Sequence, residues 1–420
     1  MFKEVDLRKE RAYALFISIL NRSPGIADYV TSLCLGSPPT QFALGGLLRL
    51  CTELQTVTHL TLVGWSAFDI GLDTRVFERR FPNIKSLGLG ELEINEIDFL
   101  RLFHVMPSLE RLYLLVVEVL PAPEYVDQPP VARPNPMHEV HDITFIPAHS
   151  PSVCIVPILA KAPLQLRLRK LDLLLDPKTE NSVEDAQDLL HKAGPSLEHL
   201  EMGVMQFEPR VSAISFADNS ELRVLQLKDI ALGIRKAAVL VRRMPLDWIP
   251  STLAQVLPLH TRLQKIQLLI RMIHRWDWVD RDEYKSRLDW SNMDAELARI
   301  ADEHPSVEIS ICVRRRAEKL EDWYDKMADL VLDNLSRVTK KKCRLGITCS
   351  QNLSENGYLS GETIGRTYEH WYDCPLTDSG SPDSDNVHSA NLYEDDEGVA
   401  LLMLEINEAF APRVRSILYN

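Results

Sequence analysis

The sequence predicts an α/β protein: a leucine-rich-repeat solenoid of the ribonuclease-inhibitor-like horseshoe type, with a parallel concave sheet and outer helices. Two observations carry this expectation. The first is a recurring segment, Pro107-Ser108-Leu109-Glu110-Arg111-Leu112-Tyr113-Leu114, which returns as Pro195-Ser196-Leu197-Glu198-His199-Leu200-Glu201-Met202 and as Pro82-Asn83-Ile84-Lys85-Ser86-Leu87-Gly88-Leu89. Each copy sets an apolar residue, two variable ones, a second apolar residue, one variable and a third. The second observation is the period. The middle apolar residues Leu33, Leu60, Leu87 and Leu112 stand 27, 27 and 25 residues apart, inside the span of roughly 20–29 residues that such repeats occupy. Helical segments such as 44–54 and 97–105 fill the intervals. A strand, a turn and a helix in each repeat make a βα unit, and right-handed crossovers place its strands in one parallel sheet.

Taken in order, residues 1–22 are expected to form an N-terminal helical cap, because Val5, Leu7, Ala12, Leu15, Phe16 and Ile19 recur at spacings of three and four. Ser23-Pro24 ends that helix, and the solenoid is expected over 23–315. Prolines 121, 123, 129, 130, 134 and 136, with 147 and 151 behind them, block both helix and ladder, so 121–152 reads as an inserted surface loop. The repeats resume at Leu171, Leu200 and Leu225, at intervals of 29 and 25, and the gap of 59 between Leu112 and Leu171 reads as one repeat plus the insertion.

Ile266 follows Leu225 by 41 residues. Residues 272–300, with Trp276, Trp278 and Trp290 among many charges, read as a helical insertion. Pro305-Ser306-Val307-Glu308-Ile309 repeats the strand lead-in with its alternation slipped by one, as a degenerate or terminal strand would. Residues 316–372 are expected to form a C-terminal helical cap, centred on an amphipathic helix over 317–339. From 373 to 398 there are eight acids and no Lys or Arg, the composition of a disordered acidic segment. A helix is expected within 399–420.

With 420 residues and 45% hydrophobic content, the chain can bury a large core. Its net charge of −13 argues against a general nucleic-acid binder, which needs a basic footprint. The seven cysteines include no C-x-x-C pair. Cys34, Cys154 and Cys312 lie in apolar strand-like contexts, and Cys343 and Cys349 find no second pair, so reduced thiols in the cytoplasm or nucleus are expected. The apolar run from Ala12 to Leu20 is preceded by three acids, unlike a signal peptide, and no stretch is long enough to span a bilayer.

Motifs for catalysis are absent from the sequence. Met137-His138-Glu139-Val140-His141-Asp142 comes nearest to a metal site, but its histidines stand three apart in a proline-rich stretch, whereas a zinc-protease helix sets them four apart. Neither a glycine-rich phosphate loop nor a Gly-x-Ser-x-Gly elbow is found. A non-enzyme without cofactor or metal is therefore expected. Arg314-Arg315-Arg316 and Lys340-Lys341-Lys342 read as a solvated face or helix end in preference to a nucleic-acid patch, with nuclear import as an alternative role for the second run. The three tryptophans read as pins holding the insertion, with a partner anchor as the alternative.

Residues Leu20-Asn21-Arg22-Ser23-Pro24-Gly25-Ile26-Ala27-Asp28-Tyr29-Val30-Thr31-Ser32-Leu33 resemble the segment joining the F-box portion to the first repeat strand in fungal F-box and leucine-rich-repeat proteins. The resemblance extends over the repeats, roughly residues 15–315. The family's three-helix F-box, which opens on a Leu-Pro pair, is not found ahead of them. The F-box is expected either to be lost or to lie upstream, and in the second case ubiquitin ligase subunits would be partners. The resemblance implies substrate recognition by the repeats, so the expected function is a non-catalytic protein–protein interaction scaffold. The alternative is a leucine-rich-repeat regulator of an enzyme, such as a GTPase-activating protein, which would use a loop arginine.

Side chains alternate across a strand. If the apolar positions face inward, the concave face carries Ser32, Cys34, His59, Thr61, Ser86 and Gly88 early, mostly small residues, and longer polar ones later. The expected partner-binding residues are Arg111, Tyr113, Lys170, Asp172, His199, Glu201, Gln226, Lys265 and Gln267. Arg111, Lys170, Asp172, His199 and Glu201 are expected at the centre, on successive strands once the 121–152 loop is set aside.

Overall fold

The computed structural model describes residues 3–36, 54–65, 83–106, 108–120, 138–147, 158–159, 164–175, 182–204, 214–229, 247–272, 289–315, 321–352 and 364–374. Tracts expected as an acidic segment (373–398, beyond Cys374) and as a C-terminal helix (399–420) lie outside the described residues, as do Trp276 and Trp278. The chain divides into two compact units, Met1–Ala193 and Gly194–Asn420.

In the first unit the elements run β1 (Glu4–Leu7), α1 (Glu10–Arg22), β2 (Ser32–Gly36), β3 (His59–Val63), β4 (Ser86–Asn95), α2 (Glu96–Val105), β5 (Arg111–Leu120), β6 (His138–Pro147), β7 (Leu164–Leu175) and α3 (Ser182–Ala193). The seven strands pair in sequence order, every pair parallel. The second unit runs β8 (His199–Val204), β9 (Val224–Asp229), α4 (Trp248–Leu253), β10 (Lys265–Met272), α5 (Trp290–Glu303), β11 (Glu308–Arg315), α6 (Glu321–Asn334), β12 (Arg344–Asn352) and β13 (Ile364–Asp373). Strands β8 to β12 are parallel in sequence order, and β13 turns back antiparallel on β12.

The apolar marker residues meet one another directly across the strands. In the first unit Val5, Leu33, Leu60, Leu87, Leu112, Ile143 and Leu171 form one row. In the second unit the row is Leu200, Leu225, Ile266, Ile309 and Leu345. All are buried, and burying each such side chain contributes about 1.5–3 kcal/mol. Leucines, isoleucines and a methionine two residues further on make a second buried row, among them Leu62, Leu89, Leu114, Met202 and Leu227.

Strand entries are tied by a repeated backbone bond. At most strand entries the carbonyl two residues before the marker accepts two N–H groups from the entry of the next strand. Thr31 O accepts from Thr58 and His59 at 2.9 and 3.0 Å, Thr58 O from Lys85 and Ser86 at 2.8 and 3.0 Å, and Lys85 O from Glu110 and Arg111 at 2.8 and 2.9 Å. Glu110 O continues the series to His141 and Asp142, and in the second unit Glu198 O and Arg223 O do the same.

Helices complete the core. Asn95 caps α2 by accepting from the Asp98 N–H at 2.9 Å, with Glu96 and Asp98 in the first turn where the helix dipole favours acids. Phe99 and Phe103 of α2 are fully buried and meet edge-to-face with centroids 5.0 Å apart. Helix α3 packs on β7, α5 on α4 and α6, and α6 on β12. None of the helices among the described residues is long and apolar enough to cross a membrane.

Four expectations are corrected. Residues 138–147, assigned to a loop within 121–152, form β6, bonded on both sides in parallel register. The gap between Leu112 and Leu171 thus holds a further parallel strand with its own buried marker, Ile143. Residues 1–22 are not helical throughout, since Glu4–Leu7 is a strand beside β2 and the helix starts at Glu10. Within 272–300, residues from Trp290 onward are the regular helix α5 preceding β11, started by Asp289 accepting from the Asn292 N–H. Residues 316–372 contain α6 but also β12 and most of β13, so β11 is neither terminal nor out of phase: Ile309 and Ile311 meet Ile266 and Leu268. Its lead-in is one residue short, and Gln264 O accepts from Glu308 N at 2.8 Å, in place of the usual two donors.

Leu200 is 1% exposed, so Leu200→Asp forfeits its burial and buries an unpaired carboxylate, costing several kcal/mol. Denaturant unfolding of the second unit is expected to shift by at least that amount or to show no folded baseline. An unchanged midpoint would contradict the burial of the marker row.

Candidate interaction surface

The sheet face opposite the marker row carries two rows of side chains in the first unit. Glu4, Ser32, His59, Ser86, Arg111, Asp142 and Lys170 stand in register in the first. The second row holds Asp6, Cys34, Thr61, Gly88, Tyr113, Thr144 and Asp172. Neighbours in a row are about 4.8 Å apart, the spacing between strands.

The small residue Ser86 lets its two neighbours meet over it. Arg111 donates from its guanidinium to His59 Nε2 at 2.8 Å. A guanidinium has no acceptor, so Nε2 carries no proton and Nδ1–H is the donor to Thr58 Oγ1 at 2.8 Å. The Thr58 hydroxyl in turn lies 3.3 Å from the Thr31 carbonyl. Burial, and then the positive charge of Arg111, hold the His59 pKa below its ordinary value of 6.5, against a smaller upward effect of the Thr31 carbonyl. A neutral histidine thus anchors the arginine at the centre of the row.

Further along, Arg111, Asp142 and Lys170 alternate in sign on adjacent strands, and all three are half-buried. The second row is more covered: Thr61, Tyr113 and Thr144 are buried, Tyr113 at 7% exposure. At Gly88 a Cβ would come within 3.0 Å of Thr61 Oγ1, so a larger residue would push this tight row apart. Asp6 is held by Arg8, whose guanidinium approaches to 2.6 Å.

In the second unit the corresponding rows are His199, Val224, Lys265, Glu308 and Arg344, then Glu201, Gln226, Gln267, Ser310 and Gly346. Glu201 pairs with Lys228, and Arg344 with Glu308 at 2.5 Å. Arg344 also lies over the Trp371 ring, 4.8 Å from its centroid, and that ring covers Gly346, where a Cβ would be only 2.9 Å from ring atoms.

The nine expected partner-binding residues therefore fall in two groups. Arg111, Tyr113, Lys170 and Asp172 share the face of the first unit, whereas His199, Glu201, Gln226, Lys265 and Gln267 share that of the second. Arg111 and Lys170 are not on successive strands, because β6 lies between them and inserts Asp142. Sequence reasoning missed Asp142 and the anchoring role of His59. The spacing Val140-x-x-Ile143-x-Phe145 is that of the repeat motif and was the signal for β6; the surrounding prolines obscured it. Glu139 and His141, the core of the nearest thing to a metal motif, are engaged by one residue: Arg167 donates to Glu139 at 3.2 Å, and its carbonyl lies 3.3 Å from His141 Nδ1.

A shallow cavity of about 510 Å³ is lined by Ala295, Ala298, Arg299, Asp302, Arg337, Lys340 and Lys341. Its cations are largely compensated. Arg299 is held by Glu296 and Glu303 at 2.9 and 2.6 Å, and Lys341 by Asp302 at 2.6 Å. Arg337 faces Asp294 at 4.0 Å. This balance gives the cavity little pull on an anion.

The sequence matches no protein-family model and no curated protein.

His59 yields a pH prediction. The unfolded chain binds a proton near pH 6.5 that folded His59 resists, so the stability this group contributes is full above that pH and is lost as the pH falls below it. Arg111→Ala removes one of the two causes of the low pKa. The ring resonances of His59 in the variant are expected to titrate closer to 6.5, and the loss of stability between pH 7 and pH 5 to become shallower. Identical titration curves would show that Arg111 exerts no field on the histidine.

Proposed function

We propose that this chain is a non-catalytic protein–protein interaction scaffold, a leucine-rich-repeat protein of the substrate-recognition kind related to F-box proteins, working in the cytoplasm or nucleus. The observation that supports it most is the row Arg111, Asp142 and Lys170, with Asp172 beside it: charges of alternating sign fixed on adjacent parallel strands. Fixed alternation of this kind suits a specific protein partner better than a diffuse polyanion, because matched potentials set register and penalise wrong partners. Strands following one another in sequence order, with marker residues aligned, are what a leucine-rich-repeat architecture requires.

The partner is a folded protein or extended segment whose own charges alternate in the opposite sense. In the F-box reading it is a substrate delivered to a ubiquitin ligase. Cross-strand charge pairs that remain in contact with water contribute about 0.2–1 kcal/mol each, so reversing the half-buried Lys170 costs the fold little while it inverts the pattern a partner meets.

The test is affinity capture of the full chain with quantitative mass spectrometry, comparing the native protein with Lys170→Glu. Recovery of the specific partner is expected to fall tenfold or more, with a melting temperature within a few degrees of the native protein's. Arg111 is left intact so that the His59 contact does not confuse the result. Unchanged recovery of every captured protein would remove this face as the docking surface.

A further inference from the structure

We propose that Cys343 and Cys374 form a reversible dithiol–disulfide site, oxidised by small-molecule disulfides of the glutathione class, that fastens β13 to β12. Cys343 immediately precedes β12 and Cys374 immediately follows β13. The antiparallel register opposes Arg344 to Asp373, so one further step opposes the two cysteines. The Cys374 N–H donates to the Cys343 carbonyl at 3.0 Å, closing that end of the ladder. Directly opposed residues of an antiparallel pair have Cα atoms about 4.5–5.5 Å apart, which lies within the range a disulfide occupies, about 4.4–6.8 Å.

The two thiols also meet. The Cys343 thiol donates to the Val338 carbonyl at 3.9 Å, and it lies close enough to Cys374 that their interaction lowers the Cys374 pKa, while the same interaction and burial raise that of Cys343. Cys374 is thereby the attacking thiolate and Cys343 the resolving thiol. Both are buried at the ladder end, so a small disulfide reaches them through local opening of that end.

The chemistry balances without another reactant. The Cys374 thiolate attacks one sulfur of the small disulfide, forming a mixed disulfide and releasing one small thiolate. Cys343 then gives up its proton and attacks the Cys374 sulfur, forming the Cys343–Cys374 bond and releasing the second thiolate. Two electrons pass from the protein to the small disulfide, which leaves as two thiols.

Neighbouring cysteines do not offer the same geometry. Cys312 is opposite Thr348, and Cys349 is opposite Val313, so Cys312 and Cys349 are one register step apart and point to opposite faces of the sheet. Burial raises the Cys349 thiol pKa, which suppresses its reactivity.

The experiment exposes the full-length folded protein to oxidised glutathione, blocks remaining thiols by alkylation, and maps peptides by mass spectrometry before and after dithiothreitol. A linked Cys343–Cys374 peptide that disappears on reduction is expected, with Cys312 and Cys349 still alkylated once the protein is unfolded. The variant Cys343→Ser is expected to retain a glutathione adduct on Cys374, because the resolving thiol is gone. Absence of the linked peptide, persistence of a glutathione adduct on Cys374 of the native protein, or linkage through Cys312 or Cys349 would each overturn the proposal.

Discussion

The structure depends on one backbone arrangement: a carbonyl at the strand entry that accepts two N–H groups from the next strand. It fixes the place and phase of each new strand before any side chain contributes. A slip of one residue would move every marker leucine to the polar face, and the doubly bonded carbonyl resists that slip at the point where the strand begins. In β11, where the lead-in is one residue shorter, one of the two bonds is given up and the phase of Ile309 and Ile311 is kept. Side-chain phase is therefore preserved at the expense of a backbone bond.

Before the strands, the chain must turn with polar groups in its interior, and the second unit supplies side chains for them. Buried Asn219 donates from Nδ2 to the Gly194 carbonyl at 2.8 Å. His260, fully buried, accepts the Leu257 N–H on Nδ1 and donates from Nε2 to the Phe216 carbonyl at 3.0 Å. His304 occupies the equivalent turn before β11 and interacts with the Leu257 backbone, while burial holds its pKa below 6.5. On α5, Asp294 is 4% exposed and accepts the Arg337 and Val338 N–H groups, fixing the turn that leads into β12. Each of these side chains joins one turn to the next, so polar atoms in the interior link consecutive repeats.

Most strands were legible in the sequence because burial of one face forces the apolar positions to recur with fixed spacing. The spacing at Leu33, Leu60, Leu87, Leu112, Leu171, Leu200, Leu225 and Ile266 found eight strands in the right phase. Strand β6 was hidden because prolines crowd both sides of it, although none interrupts the apolar triplet Val140, Ile143 and Phe145. Strand β1 was missed because Val5 and Leu7 fit a helical spacing as well as a strand, and only pairing with β2 decides between them. At the surface, sequence identified residues that face together but not their engagements. Whether Arg111 reaches His59 depends on Ser86 being small, which is a property of three strands at once. Cys374 went unremarked because its opposition to Cys343 exists only through the antiparallel return of β13.

That return has a consequence for how such a chain can change in length. A parallel series admits another member wherever a strand entry offers its carbonyl, but an antiparallel strand presents the reverse sequence of donors and acceptors. Trp371 of β13 also lies against Gly346 and beneath Arg344, so β12 is shaped to receive this one neighbour. Whole repeats can be duplicated or deleted upstream of β12, since each entry carbonyl engages whichever strand follows. Past β12 the same operation fails. Among the described residues, β13 thereby closes the parallel order that β12 would otherwise extend.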